Sequence, residues 1–300
     1  MSGMIKILRP ILIILSIIYF VIIKIRNKIY DLGIIKIHKN DKPIISVGNL
    51  TTGGTGKTPM VIEIAKIVIE LNKKPIIISR GFKRKSKGTV IVSNNFNVLN
   101  TPEYVGDEPY LIAKKLKGVP VIVDQNRYRA TELAKRNFDY DIIILDDSFQ
   151  HRRIFRDLDI VMINYLEKDT NYHLLPLGKL RENVESLNRA DLIIWSKYNH
   201  KKLQSNYNKK IRLIKKEEIY SYYNIKNKNI KRGSRIIAFC AIGDPNSFTT
   251  ILEENEFQLI YSKFYIDHHK LNFQELNELI SLKNKYNADY VVTTEKDWVK

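Results

Sequence analysis

Apolar residues fall along the chain in short runs, separated by stretches in which they recur at helical spacing. The runs cover 43–47, 75–79, 89–92, 119–123, 141–145, 159–163, 191–195, 235–241 and 290–293, and their β-branched content reads as buried strands. Between most of them lie patterns such as Met60, Ile64, Ile67, Val68 and Leu71, three or four residues apart on one helical face. That alternation predicts an α/β fold of largely parallel strands, sandwiched by helices. The stretch 198–231, rich in Lys, Asn and Tyr, has the weakest periodicity and is expected to hold surface excursions.

The N-terminus follows a different pattern. PILIILSIIYFVII, from Pro10 to Ile23, carries no charge; Lys6 and Arg9 precede it, and Lys24, Arg26 and Lys28 follow. Its 14 residues would extend only about 21 Å as a helix, against a hydrocarbon core of about 30 Å. No small-x-small cleavage site follows it, and export would carry a nucleotide site away from ATP. A retained helix lying in or entering the cytoplasmic leaflet is expected, with a buried core helix of a soluble protein as the alternative.

Composition changes the picture in three respects. Three hundred residues with 44% hydrophobic content suffice for two domain cores, expected at 28–158 and 159–300 after a helix at 1–27. The net charge of +18 is spread among Ile and Asn residues and gathers on no recognition element, so no nucleic-acid partner is expected. An anionic membrane surface or an anionic substrate uses that charge equally well. The one cysteine, Cys240, lies in an apolar strand run, which implies a buried thiol, no intrachain disulfide and a reducing compartment.

The densest candidate chemistry is NLTTGGTGKTP at 49–59. The strict phosphate-loop pattern asks for glycine where this chain has Thr51, yet Gly53, Gly54 and Gly56 still permit a tight loop of converging amides. Thr51, Thr52, Gly53, Gly54, Thr55, Gly56, Lys57 and Thr58 form the candidate nucleotide loop, with Lys57 on the β/γ-phosphates and Thr58 on Mg²⁺. A strand precedes it and a helix follows, the order such a cradle requires. A second motif, YDIIILDD at 140–147, is a strand ending in Asp146 and Asp147, the carboxylates that hold Mg²⁺ opposite a phosphate loop.

Four more segments bear on the phosphate acceptor. SRGF at 79–82 follows the second strand and is either part of the site or a plain turn. GDEP at 106–109 places Asp107 and Glu108 at a helix entrance, where capping is the simpler reading. LLPLGKLRE at 174–182 suits a loop over a cleft as well as a linker. YIDHHK at 265–270 gathers Asp267, His268 and His269; with only six histidines in the chain, zinc is poorly supported, and an acid/base role or a hydrogen-bonded turn is open. Arg80, Arg127 and Arg181 are candidate phosphate or cleft contacts.

The ordered set SVGNLTTGGTGKTP, SRGF, GDEP, DQNRYRA, DDSFQHRR, LLPLGKLRE, FYIDHH and TTEKD, from about residue 43 to 297, closely resembles the tetraacyldisaccharide 4′-kinase family of the lipid A pathway in Gram-negative bacteria. The resemblance implies two α/β/α sandwich domains, the first a phosphate-loop sheet, preceded by a membrane-associated helix. It implies γ-phosphate transfer from ATP, with Mg²⁺, to the 4′-hydroxyl of a lipid A disaccharide precursor at the cytoplasmic face of the inner membrane, peripheral or monotopic, with no protein partner required. By matching positions, Asp107 would be the base, His268 its partner, Lys57 the catalytic lysine, and Asp146 and Asp147 would serve Mg²⁺.

Two departures stand out: Phe82 replaces a family tyrosine, which removes a hydroxyl, and the sequence ends at Lys300 where members usually continue, so less cover is expected over the last part of the second unit. The rival class is a membrane-associated phosphate-loop ATPase of the partitioning or positioning type. That group carries lysine where this chain has Thr52. TEKD at 294–297 has the wrong order for guanine recognition.

Overall fold

The computed structural model describes residues 2–198, 205–221 and 230–300. Helix α1 spans Ser2–Asp31, longer than the uncharged run within it, and its Leu8–Asp31 portion is, by length and composition, the one candidate among the described residues for crossing a membrane. One face of α1 lies on the protein through Ser16, Ile23 and Tyr30, spaced seven residues apart. The opposite face leaves Ile14, Ile18 and Ile22 half exposed at a spacing of four.

Alternation of strand and helix then builds the main sheet. Strand β1 (Ile44–Asn49) leads through the glycine loop into α2 (Lys57–Glu70), and β2 (Pro75–Ser79) and β3 (Val90–Ser93) follow. Helices α3 (Pro102–Val105) and α4 (Asp107–Lys115) precede β4 (Val121–Val123), α5 (Arg127–Asn137), β5 (Ile142–Asp146), β6 (Leu158–Asn164) and β7 (Leu192–Ser196). Helix α6 (Asn206–Arg212) and β8 (Glu217–Tyr220) complete this part. The eight strands are ordered β3-β4-β2-β5-β1-β6-β7-β8, and all pairs are parallel except β3 with β4.

Strand parity explains why both faces of this sheet are covered. Ile77 and Ile144 point to the side of Val61, Ala65 and Val68 on α2, whereas Ile76, Ile78 and Ile143 point to Ala130 and Ala134 on α5. The same logic repeats in a smaller sheet of β9 (Arg235–Cys240), β10 (Gln258–Phe264) and β11 (Tyr290–Val292), all parallel, in the order β10-β9-β11. Ile236 and Ala238 meet Leu252 of α7 (Pro245–Glu254), and Ile237 meets Leu279 of α8 (Phe273–Lys285) on the other face. A last short helix, α9 (Glu295–Trp298), follows β11. Cys240 is fully buried on β9, as its apolar run implied.

The sheets divide the chain elsewhere than at the expected boundary of 158/159. Strand β6 starts at Leu158 and pairs with β1, so 158–220 extends the phosphate-loop sheet, and the break between sheets falls between Tyr220 and Arg235. An apolar run shows that a strand is buried but not which sheet it joins. Two strands, β8 and β10, were absent from the sequence expectation. Within the weakly periodic stretch, residues 205–221 hold α6 and β8, and the remaining surface excursions expected there fall partly on 199–204 and 222–229, outside the described residues.

One close approach fixes the centre of the sheet. A Cβ on Gly48, near the end of β1, would stand 2.5 Å from Phe149 Cβ and 2.6 Å from its backbone nitrogen. Only glycine lets the end of β1 lie against the turn after β5. Gly48→Ala is therefore expected to cost about 1–3 kcal/mol or more in urea unfolding. Gly54→Ala, where a Cβ would meet nothing within 4 Å, is expected to stay within about 0.5 kcal/mol of wild type.

Candidate active site

Parallel pairing of β1 with β5, Val47 opposite Asp146, delivers the glycine loop and the two aspartates to the same carboxyl edge of the sheet. Gly56 takes φ 84° as the N-cap of α2 and Gly53 takes φ 109°, conformations that suit glycine. No side chain caps α2, so its first-turn amides are left for an anion. The loop is held from two sides. Asn49 Nδ2 donates to Thr55 Oγ1 at 3.0 Å, and Thr52 N–H donates to Lys179 O at 2.7 Å. Thr51 forms a bridge with Leu180. Thr51, Thr52 and Thr55 thus shape the loop, while Gly53 and Gly54 lie exposed.

Asp146 and Asp147 have opposite surroundings. Ser79 Oγ donates to Asp146 Oδ2 at 2.8 Å, while Asp146 Oδ1 is buried without a partner. Burial, reinforced by Glu108 and Asp147, holds the Asp146 carboxyl above the usual range. Asp147 is only partly buried, with 17% of its side chain exposed, and Lys57 Nζ at 3.5 Å and Arg181 Nη1 at 2.8 Å outweigh its desolvation and hold it below the usual range. Such a pair, one carboxylate matched by cations and one with an open oxygen, suits a cation shared with phosphate oxygens. No group of three or more His, Cys, Asp or Glu side chains placed to hold a metal ion occurs among the described residues.

Asp107 opens α4, but it does not cap it: the N-cap is Gly106, with no side-chain cap bond. Instead Asp107 Oδ2 lies 2.9 Å from His268 Nδ1, across 161 residues of sequence, and both side chains are about a tenth exposed. The ring of Phe82 lies 5.3 Å from that of His268, so the aromatic contact persists without a phenolic hydroxyl. Gly243 links the pair's segment to the phosphate loop; a Cβ there would stand 3.4 Å from Asp267 Oδ2 and 3.5 Å from Gly53 Cα. Thus SRGF, GDEP, DHH and the phosphate loop converge.

Arg127 is not a cleft contact. It is 2% exposed and donates to the carbonyls of Asp124 (2.7 Å), Asp146 (3.0 Å) and Asp147 (3.4 Å). Burial pulls its guanidinium down to about 10. Its role is to tie the turn at Asp147, which takes φ 51°, to the start of α5. Arg181 does reach the site, through Asp147, and Arg80 makes no described contact with the loop. Sequence reasoning missed Ser79, although SRGF contains it, as well as Lys296 beside His268 and Lys300 beside Asp107.

The 172–184 segment also meets α1. Ser16 Oγ donates to Leu174 O at 3.0 Å, Tyr19 OH to Arg181 O at 2.9 Å, and Asn27 Nδ2 to Glu182 Oε2 at 2.8 Å. A cavity of about 340 Å³ opens beside these contacts, lined by Phe20, Tyr172, Leu174, Tyr207 and Lys210 among others.

Residues 8–300 match the family described as tetraacyldisaccharide-1-P 4′-kinase. A tetraacyldisaccharide 4′-kinase of Halothermothrix orenii is 38% identical over 98% of this chain and 83% of its own length. That of Desulfotalea psychrophila is 36% identical, covering 95% and 86%. The crystal structure of an "apo" form of LpxK from Aquifex aeolicus in complex with ATP superposes with a TM-score of 0.74 at 32% identity, covering 97% of this chain and 90% of that one.

One titration is open to direct test. Burial, then Arg127, Arg156, Arg153 and Arg26, push His151 from an ordinary 6.5 down to about 4. The folded protein keeps this imidazole neutral, whereas the unfolded chain takes up a proton near 6.5, so the folded state loses stability as pH falls from 6.5 to about 4. Comparing urea midpoints of wild type and His151→Gln should show a constant difference above about pH 6.5, drifting against wild type between there and about pH 4.

Proposed function

The chain belongs to the tetraacyldisaccharide-1-P 4′-kinase family, and on that premise we infer that it transfers the γ-phosphoryl group of ATP to the 4′-hydroxyl of a tetraacyldisaccharide 1-phosphate, in lipid A biosynthesis. The observation that carries the reading is the 2.9 Å contact of His268 Nδ1 with Asp107 Oδ2, made beside a phosphate loop. A sugar hydroxyl is a poor nucleophile, and a carboxylate that takes its proton as attack proceeds speeds transfer by about 10²–10⁴. Asp107 is that carboxylate, and His268 orients it.

The remaining residues bind and align charge. The first-turn amides of α2 and Lys57 hold the β- and γ-phosphates, and Arg181 keeps Asp147 in place beside Lys57. Mg²⁺ would be held by Thr58, Asp146 and Asp147; the unpartnered, buried Asp146 Oδ1 is the feature that fits it. When bound, the ion neutralises charge on the phosphate oxygens. A partitioning-type ATPase would give the Asp107–His268 pair no task, and Thr52 stands where that group carries lysine.

We place α1 on the cytoplasmic face of the bacterial inner membrane, peripheral or monotopic, with the lipid A disaccharide precursor approaching along it. The support is its exposed apolar face opposite a face hydrogen-bonded to 174–182. We further propose two functional units, the eight-stranded part through residue 220 and the three-stranded part from 235, with Asp107 on one and His268 on the other.

Three outcomes test this reading. With labelled ATP, Mg²⁺ and a lipid A disaccharide precursor, transfer should depend on the lipid; ATP turnover indifferent to it would favour the ATPase class. Asp107→Asn should slow single-turnover transfer by about 10²-fold or more while ATP affinity holds, and adding His268→Ala should slow it little further, because members of one constellation are not additive. Replacing Ile14, Ile18 and Ile22 by Glu should abolish sedimentation with phospholipid vesicles and leave ATP binding unchanged; full co-sedimentation would place the anchor elsewhere.

A further inference from the structure

The segment 294–300 brings two lysines to the Asp107–His268 pair. Helix α9 has only four residues, but its position is fixed: Thr294 accepts from Asp297 N–H as N-cap, and Asp297 Oδ2 accepts from Ala241 N–H at 3.0 Å, at the end of β9. Lys300 Nζ donates to Asp297 Oδ1 at 2.6 Å and Ala241 O at 3.2 Å, and lies 3.9 Å from Asp107 Oδ2. Lys296 reaches further into the site. Its Nζ lies 3.2 Å from Glu108 Oε1, 3.4 Å from His268 Nε2 and 3.6 Å from Asp267 Oδ1, with 19% of the side chain exposed.

These distances constrain the proton on His268. An ammonium has three hydrogens and no lone pair, so a hydrogen bond between Lys296 and Nε2, 3.4 Å apart, requires Nε2 to be the unprotonated nitrogen. The remaining proton then sits on Nδ1, where it donates to Asp107 Oδ2 at 2.9 Å. Asp267 Oδ2, 3.7 Å from Nε2, pulls the other way, since a carboxylate there favours a proton on Nε2. Lys296 stands close to both groups and decides between them. Its own charge is secure. Burial draws its ammonium down, but Glu108, Asp267 and Asp107 outweigh burial and hold it above the usual lysine value.

We propose that Lys296 is a positioning residue of the transfer reaction, donating to His268 Nε2 and so fixing the neutral Nδ1–H tautomer that holds one oxygen of Asp107 and leaves the other to take the acceptor's proton. The proposal rests on Asp107 as proton acceptor. Without Lys296, Asp267 draws a proton onto Nε2. A neutral ring then turns its Nδ1 lone pair on the Asp107 carboxylate and loses the bond; a doubly protonated ring binds that carboxylate as an ion pair and lowers its basicity. Glu108 is released from Lys296 at the same time.

The test reads the tautomer directly. In ¹⁵N-histidine-labelled full-length protein, long-range ¹H–¹⁵N spectra should show His268, identified by its loss in His268→Ala, with a protonated Nδ1 and an unprotonated Nε2. An Nε2–H tautomer or an imidazolium in the wild type overturns the proposal, whatever any variant does. In Lys296→Met, His268 should leave that tautomer, and kcat for lipid phosphorylation should fall by about 10- to 100-fold with KM for ATP little changed. Lys296→Arg, which keeps a cationic donor, should recover much of the rate and the tautomer. A Lys296→Met protein with wild-type kcat and an unchanged tautomer, beside a slow Asp107→Asn, refutes the role of Lys296 and leaves Asp107 as the base. Wild-type transfer in Asp107→Asn refutes the underlying reading instead.

Discussion

Parallel hydrogen bonding between β1 and β5, in the register that sets Val47 opposite Asp146, is the constraint on which the site depends. Both strands end at the same level, so the glycine loop leaving β1 and the carboxylates leaving β5 emerge side by side. A slip of one residue would turn Asp146 to the other face of the sheet and carry Asp147 out of reach of Lys57. The absence of a side chain at Gly48 lets Phe149 close over the end of β1, which locks that register from above. Arg127 secures it from behind by collecting the carbonyls of both aspartates. This buried guanidinium directs its Nη donors to three carbonyls while its Nε has no partner, and it ties down a turn whose Asp147 takes φ 51°.

The charges of the site are arranged in two groups of different purpose. Around Asp147, two cations meet one carboxylate, which keeps that carboxylate ionised despite its desolvation. Around His268, the carboxylates of Asp107 and Asp267 and the ammonium of Lys296 face one imidazole, with Lys300 behind Asp107, and the outcome depends on which ring nitrogen each of the three faces. Glu108 touches both groups, bonding Lys296 on one side and raising Asp146 on the other. That connection gives the GDEP segment, at first sight a helix entrance, two adjacent carboxylates with different partners.

Much of this was legible in the sequence because the chemistry is carried by local spacing. A glycine loop between a strand and a helix, and a strand ending in two aspartates, each declare themselves within about ten residues. Asp107 and His268 were legible only through the family resemblance, since nothing local distinguishes Asp107 from a helix cap or His268 from a turn histidine. Strand β10 was missed because QLIYSKF mixes Lys, Ser and Gln into a half-exposed strand, and β8, EEIY, is an edge strand with two acidic residues. Arg127 was misread because a cation three residues from an aspartate looks the same in sequence whether it faces phosphate or backbone. Lys296 was hidden in a motif, TEKD, whose local form gives no sign that the helix docks against another unit.

Arg181 has two neighbours that belong to different environments. Its guanidinium holds Asp147, while its carbonyl accepts the hydroxyl of Tyr19 from α1. A single residue therefore stands between α1 and the carboxylate beside Lys57. With α1 at a membrane surface as proposed, its tilt or depth would reach Asp147 through a lever one amino acid long. On that placement, kinetics taken in detergent micelles and in bilayers would be measurements on two mechanically different enzymes.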